Sequence, residues 1–184
     1  MSQQFDLTRA ISLGVANALT PILGKKFKIK WPNDLYFEHG KLGGILIENS
    51  LQGTQIKSSV IGIGLNINQE AFPPEAANAM SVKQILHRDY DLKFLLSEIC
   101  KNIEAEYLKL KAGQFDHVRN EYLSRLYWLN EEHNFRSKIP FSGTESTTAF
   151  KGVIKGVKEN GLLIVNAGEK NMEFGFKEIE FLNK

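Results

Sequence analysis

Of the 184 residues, 42% are hydrophobic and 24% charged, the balance of an ordinary globular protein, which argues against extensive disorder. A net charge of only +2 leaves out the concentrated basic stripe that a nucleic-acid reader needs; Lys25, Lys26, Lys28 and Lys30 come nearest to one, at the spacing of a solvated strand face. A single cysteine, Cys100, rules out an internal disulfide or a cysteine-rich zinc site and fits a reducing, cytoplasmic setting, and no apolar run has membrane-spanning length.

Taken in chain order, Leu7, Ile11, Val15, Ala18, Leu19 and Ile22 recur at spacings of three and four, which predicts a helix over 6–23 ended by Gly24. Strands are predicted over 27–31, 35–37, 42–48 and 55–65, with hairpin turns at 38–41 and 52–54 that favour antiparallel neighbours. The near-continuous apolar runs 45–47 and 60–65 predict central strands covered on both faces of a mixed or antiparallel sheet. The prolines at 73 and 74 predict a loop, Ser81 caps a short helix to about Arg88, and Asp91 caps a longer one running to Gly113.

That longer helix should bury Leu92, Leu95, Leu96, Ile99, Ile103, Tyr107 and Leu110, with Cys100 beside them as an inert thiol. A further helix over 115–126 carries aromatics at helical spacing, read as core rather than as a base-stacking platform. From about Asn134 short strands parted by turns (135–140, 148–157, 162–165, 172–176), with a polar loop at 142–147, predict a small barrel. The division expected is 1–133 and 134–184, an α+β part followed by a β-barrel module. The four histidines, His39, His87, His117 and His133, have no metal-ligand spacing.

Three strings carry most of the chemistry. Lys30-Trp31-Pro32-Asn33-Asp34 ends a strand with a flat apolar wall, a ladder-stopping proline, and an amide and carboxylate able to bind a sugar, a base or Mg²⁺ among phosphates; a capped strand end with an Asx turn explains the same residues. Lys41 follows a turn glycine and precedes Gly43 and Gly44, so its ammonium can reach a carboxylate or phosphate lying on bare backbone, or can simply be a solvated hairpin lysine. Gly62 and Gly64 imply close backbone approach or a bulge, and Asn66 and Asn68 follow as candidates to read an adenine edge.

In this order and spacing, Lys30 to Asp34, Lys41 to Leu46 with Glu48, and Gly62 to Asn68 resemble the biotin protein ligases, and Gly152 to Leu163 resembles that family's C-terminal barrel. The resemblance implies a class II synthetase-like catalytic domain with an SH3-like barrel. It also implies a reaction in which biotin and Mg²⁺-ATP form biotinyl-5′-AMP, after which a lysine of a biotin carboxyl-carrier domain takes the biotin. By resemblance Lys41 is the catalytic contact to the biotin carboxylate and the adenylate phosphate. Gly43, Gly44, Gly62 and Gly64 lie by the biotin; Lys30, Trp31, Asn33, Asp34 and Asn66 surround ATP, with Asp34 on the metal.

Members of that family carry, before the first helix read here, a further part of the catalytic domain with a flexible arginine-rich loop, so an N-terminally truncated ligase with impaired adenylation is expected. An exposed sheet edge or face should follow, with self-association or a homodimer as its consequence. No winged-helix module is present, so DNA binding is not expected. Two other readings compete with the ligase: a non-catalytic remnant that only binds biotin or biotinyl-AMP, and a related lipoate or octanoyl transferase.

Overall fold

The computed structural model describes residues 2–53, 55–139 and 147–182, with backbone only at 2, 3 and 55. The chain divides into two compact units, Gln3–Tyr127 and the stretch from Trp128 onward. Both are built from antiparallel sheets, the first with helices, as the α+β reading requires.

In the first unit, α1 (Ser2–Leu23) is followed by a short 3₁₀ turn and a four-stranded sheet in the order β1 (Phe27–Lys30), β2 (Asp34–Phe37), β3 (Gly40–Gln52), β4 (Gln55–Leu65). Gly24 ends α1 at φ +74°, the left-handed position that glycine takes without a Cβ penalty. Then come α2 (Val82–Leu86), α3 (Leu92–Lys111) and α4 (Phe115–Ser124). Helix α1 is buried along much of its length, through Ala10, Ile11, Leu13, Val15, Ala16 and Leu19, and so serves as the unit's core helix. Gly14 lets α3 approach, since a Cβ there would sit 2.5 Å from the Ile103 Cα.

A charged cluster is sealed into this unit. The Asp6 carboxylate, 1% exposed, accepts from Arg9 Nη1 at 2.6 Å and from Arg119 Nη2 at 2.8 Å, and the Arg9 guanidinium lies over the Phe5 ring. Burial pulls the Arg9 pKa down, against the opposing hydrogen bond and charge of Asp6. Where α2 begins, Ser81 and Gln84 form a reciprocal capping box, and the Ser81 hydroxyl also donates to the Gln69 carbonyl at 2.6 Å. Replacing Ser81 by Ala is expected to lower stability by about 1–2 kcal/mol in urea unfolding, with an unchanged denaturant slope.

Three expectations need correction. The runs 45–47 and 60–65 are not covered on both faces: among the described residues β4 pairs only with β3, and Leu46 and Val60 are 62% and 68% exposed. An apolar run reports what a strand can bury, not whether a neighbour is there to bury it, and the expected open edge and face are what the structure shows. Helix α3 buries Leu95 and Ile99 but exposes Leu92, Leu96 and Tyr107, because its apolar stripe is wider than the surface it rests on. Cys100 is exposed on the same helix.

In the second unit a five-stranded antiparallel sheet runs in the order β8 (Lys170–Phe174), β7 (Leu163–Ala167), β6 (Thr148–Val157), β5 (Glu132–Ser137), β9 (Ile179–Leu182). Phe135, Ile154, Leu163, Val165 and Phe174 form its core, and Trp128 stacks on His133 at 3.8 Å. The sequence reading missed β9, and the loop expected at 142–147 lies mostly outside the described residues.

Candidate functional site

The register of the first sheet places the three strings side by side. Lys30 pairs with Asp34, Asp34 with Gly44, and Gly44 with Gly64, a single row across all four strands. Directly opposed residues of antiparallel strands project to the same face, so this row offers two charged side chains at one end and two bare glycines at the other. The next row on that face adds Leu46 opposite Gly62. A Cβ on Gly64 would meet nothing within 4 Å, and one on Gly62 only the Leu46 carbonyl at 3.9 Å, so the glycine end is an open floor.

Lys41 joins this face through a bulge. It lies three positions before Gly44, and strict alternation would turn it to the opposite side of the sheet. The β2–β3 register shifts between Leu35 and Tyr36, so Leu35 opposes Gly43 while Tyr36 opposes Lys41, and Leu42 is the extra residue. Leu42 is buried, 1% exposed, and Lys41 is re-aimed so that its Nζ lies 2.6 Å from Asp34 Oδ1. Gly44 keeps the space beside this pair clear, since a Cβ there would sit 3.0 Å from Asp34 Oδ1 and 3.9 Å from Lys41 Cε.

Gly43 has a different task. A Cβ on it would stand 2.1 Å from the Gly64 carbonyl oxygen, so it is needed for β3 and β4 to pair as they do. The Lys41 backbone is pinned from both sides, its N–H donating to the Asn78 carbonyl at 2.7 Å and its carbonyl accepting from the Met80 N–H at 2.9 Å. Asn66 also reaches that carbonyl through Nδ2, at 3.4 Å. Asn68 is engaged with Tyr90: its Nδ2 donates to the Tyr90 carbonyl at 2.9 Å and its Oδ1 accepts from the Tyr90 N–H at 3.0 Å.

The remaining residues of the first string behave unequally. Asn33 donates its amide to the Ile45 carbonyl at 2.5 Å, which leaves its Oδ1 as the acceptor it can still offer. Trp31 is 5% exposed and forms part of the core, so the flat wall expected of it is largely covered. The Lys30 ammonium lies over the Tyr36 ring at 4.6 Å, and burial lowers its pKa more than Asp34 raises it, with Lys41 lowering it further.

Sequence reading passed over Tyr36. It is 2% exposed, and burial, with Asp34 and Tyr127 adding to it, pushes its phenol up to about 12. In the unfolded chain the phenol ionises near 10. Its contribution to stability is therefore complete below pH 10 and is lost as pH rises to about 12. Urea midpoints measured at pH 9.5 and 11.5 should fall more steeply in the wild type than in Tyr36→Phe.

Among the described residues no cluster of three His, Cys, Asp or Glu forms a metal cage. Asp34 is a lone carboxylate with one oxygen given to Lys41, an arrangement that suits a magnesium ion carried chiefly by nucleotide phosphates and waters rather than by the protein. A cavity of about 970 Å³ lies elsewhere, lined by Leu7, Ile11, Ile61, Ile103, Tyr107 and Phe115; Ile61 alternates with Gly62 and so faces away from the glycine floor.

Residues 4–66, which hold all three strings but for the last residues of the third, match the model of the Biotin/lipoate A/B protein ligase family. The chain is similar to the biotin–[acetyl-CoA-carboxylase] ligase of Paracoccus denitrificans, 27% identical over 166 residues, covering 88% of this chain and 66% of that protein. The biotin protein ligase of Aquifex aeolicus, solved in complex with biotin and ATP, superposes with a TM-score of 0.76 at 28% identity over 98% of this chain and 72% of that one. In both sequence and fold the chain is thus similar to biotin protein ligases. Another relative, the bifunctional ligase/repressor BirA of Bacillus subtilis, is 28% identical over 167 residues, 89% of this chain. The chain spans about half to two thirds of the length of these curated relatives. Among its described residues no helix is long and apolar enough to cross a membrane.

Proposed function

We propose that the open face of the first sheet binds biotin and ATP and supports formation of biotinyl-5′-AMP, from which biotin passes to a lysine of a carrier domain. The observation that carries this reading is the bulge at Leu42, which sets Lys41 beside Asp34 at one end of the glycine floor. Biotin lies along Gly44, Gly62 and Gly64, with Leu46, opposite Gly62, as the apolar side chain beside it. Its carboxylate points to Lys41, which also meets the α-phosphate, so that the attacking oxygen and the phosphorus share one cation.

Lys30, Asn33 Oδ1 and Asn66 border the nucleotide. Magnesium, when bound with ATP, neutralises charge on the phosphates, and the free oxygen of Asp34 is the protein atom placed to hold it. No protein nucleophile is required. The complex of biotin and ATP with the Aquifex aeolicus ligase, which shares this fold, supports the choice of ligands.

Pyrophosphate release with biotin and Mg²⁺-ATP tests the reading. Biotin-dependent release above the ATP-only background supports it. Calorimetric binding of biotin without any release would instead make the chain a binding module, and preference for lipoate over biotin in competition would move it to the related transferases.

A further inference from the structure

A loop residue that belongs to none of the three strings touches Lys41 directly and reaches Lys30 through Tyr36. Asn78 lies between the second short 3₁₀ turn (Pro74–Ala76) and α2. Its carbonyl accepts the Lys41 N–H at 2.7 Å, the next residue, Ala79, forms a parallel bridge with Lys41, and the Met80 N–H donates to the Lys41 carbonyl. The Asn78 side chain turns the other way, its Nδ2 donating to the Tyr36 hydroxyl at 3.3 Å. That hydroxyl in turn accepts from Lys30 Nζ at 3.3 Å, and the Tyr36 ring lies beneath the same ammonium.

We propose that Asn78 and Tyr36 are positioning residues that fix the spacing of the two site cations, Lys41 through its main chain and Lys30 through its ammonium. The role assigned to the lysines rests on the ligase reading; the positioning itself rests on these contacts. The physical need is plain. A lysine has a long, freely rotating stem, and two ammonium groups near one another repel, so neither stays aimed at an anion unless something orders it. Tyr36 is suited to this task because it is buried, pairs directly with Lys41 across the β2–β3 ladder, and presents a ring and an oxygen to Lys30 together. Asp34 and Lys41 are the charged groups that act on Lys30 there.

Two measurements test this, both on the full chain. In the first, calorimetry gives the ATP affinity of the wild type, Tyr36→Phe, Lys30→Met and the double variant. Loss of a hydrogen bond to a charged group predicts that Tyr36→Phe weakens ATP on the order of tenfold when Lys30 is present. It should change affinity less than about twofold in the Lys30→Met background, where the hydroxyl has no ammonium to aim. An equal loss in both backgrounds, or no loss in either, overturns the proposal.

The second measurement needs no nucleotide. The ¹³Cε resonance of Lys30, assigned by its disappearance in Lys30→Met, is titrated with pH. Tyr36→Phe should lower its midpoint, because the charged form loses an acceptor, and Asn78→Ala, which leaves Tyr36 in place but frees its hydroxyl, should also move it. A Lys30 titration unchanged in both variants overturns the proposal. If the wild type binds no ATP, the ligase reading fails while the titration still decides the positioning.

Discussion

Lys41→Gln is expected to lower the rate of pyrophosphate release with biotin and ATP by about 10²–10³-fold, the cost of removing one aimed electrostatic donor from a reacting centre. The same change should leave the protein folded. Lys41 is 39% exposed and its pair with Asp34 is partly solvated, so its loss is worth at most about 1 kcal/mol of stability. The main-chain clamp from Asn78 and Met80 does not depend on the side chain. Thermal melting measured beside the assay separates the two effects. A variant that melts with the wild type but has lost turnover places Lys41 in the chemistry, whereas one that keeps turnover removes it.

Gly43→Ala and Gly64→Ala should part company although both add one methyl to neighbouring strands. At Gly43 the new carbon would stand 2.1 Å from the Gly64 carbonyl oxygen, and neither backbone can yield without opening the β3–β4 ladder. A cost of roughly 3 kcal/mol is expected, at the upper end for overpacking. At Gly64 nothing lies within 4 Å, so alanine should leave stability within about 1 kcal/mol of wild type while placing a methyl on the floor where biotin is proposed to lie. Urea unfolding reads the first effect and biotin affinity the second.

The contrast between these glycines shows how far a sequence speaks. The three strings were legible because they combine rare residue types with glycine at strand positions, and the boundaries of β4 followed from its apolar content, whereas β3 runs from Gly40 to Gln52, well past the 42–48 expected, because its polar end pairs with β4. What each glycine does was not legible. Gly43 serves strand pairing and Gly64 open space, and only the register tells them apart. The bulge was equally hidden, since Leu42 fits an alternating pattern and nothing local says that Lys41 will be turned to the face of Asp34.

Tyr36 and Asn78 escaped for a different reason. Their contact joins residues 42 positions apart, through a loop with neither periodicity nor a motif. Strand β9 was missed because Ile179–Leu182 is too short, and too close to the Phe176-Lys177 turn, to give an alternating signal. The exposed faces of β4 and α3 were misjudged in detail because burial needs a partner, and no pattern within one element reports its partner.

The most direct test is a map of where biotin and Mg²⁺-ATP bind, read from backbone amide shifts of the ¹⁵N-labelled chain during titration. The open-face site predicts that Lys41, Gly44, Gly62, Gly64 and Asn66 move together and saturate with the ligand. Shifts gathered instead around Leu7, Ile11 and Ile103, with the glycine row unmoved, would contradict it.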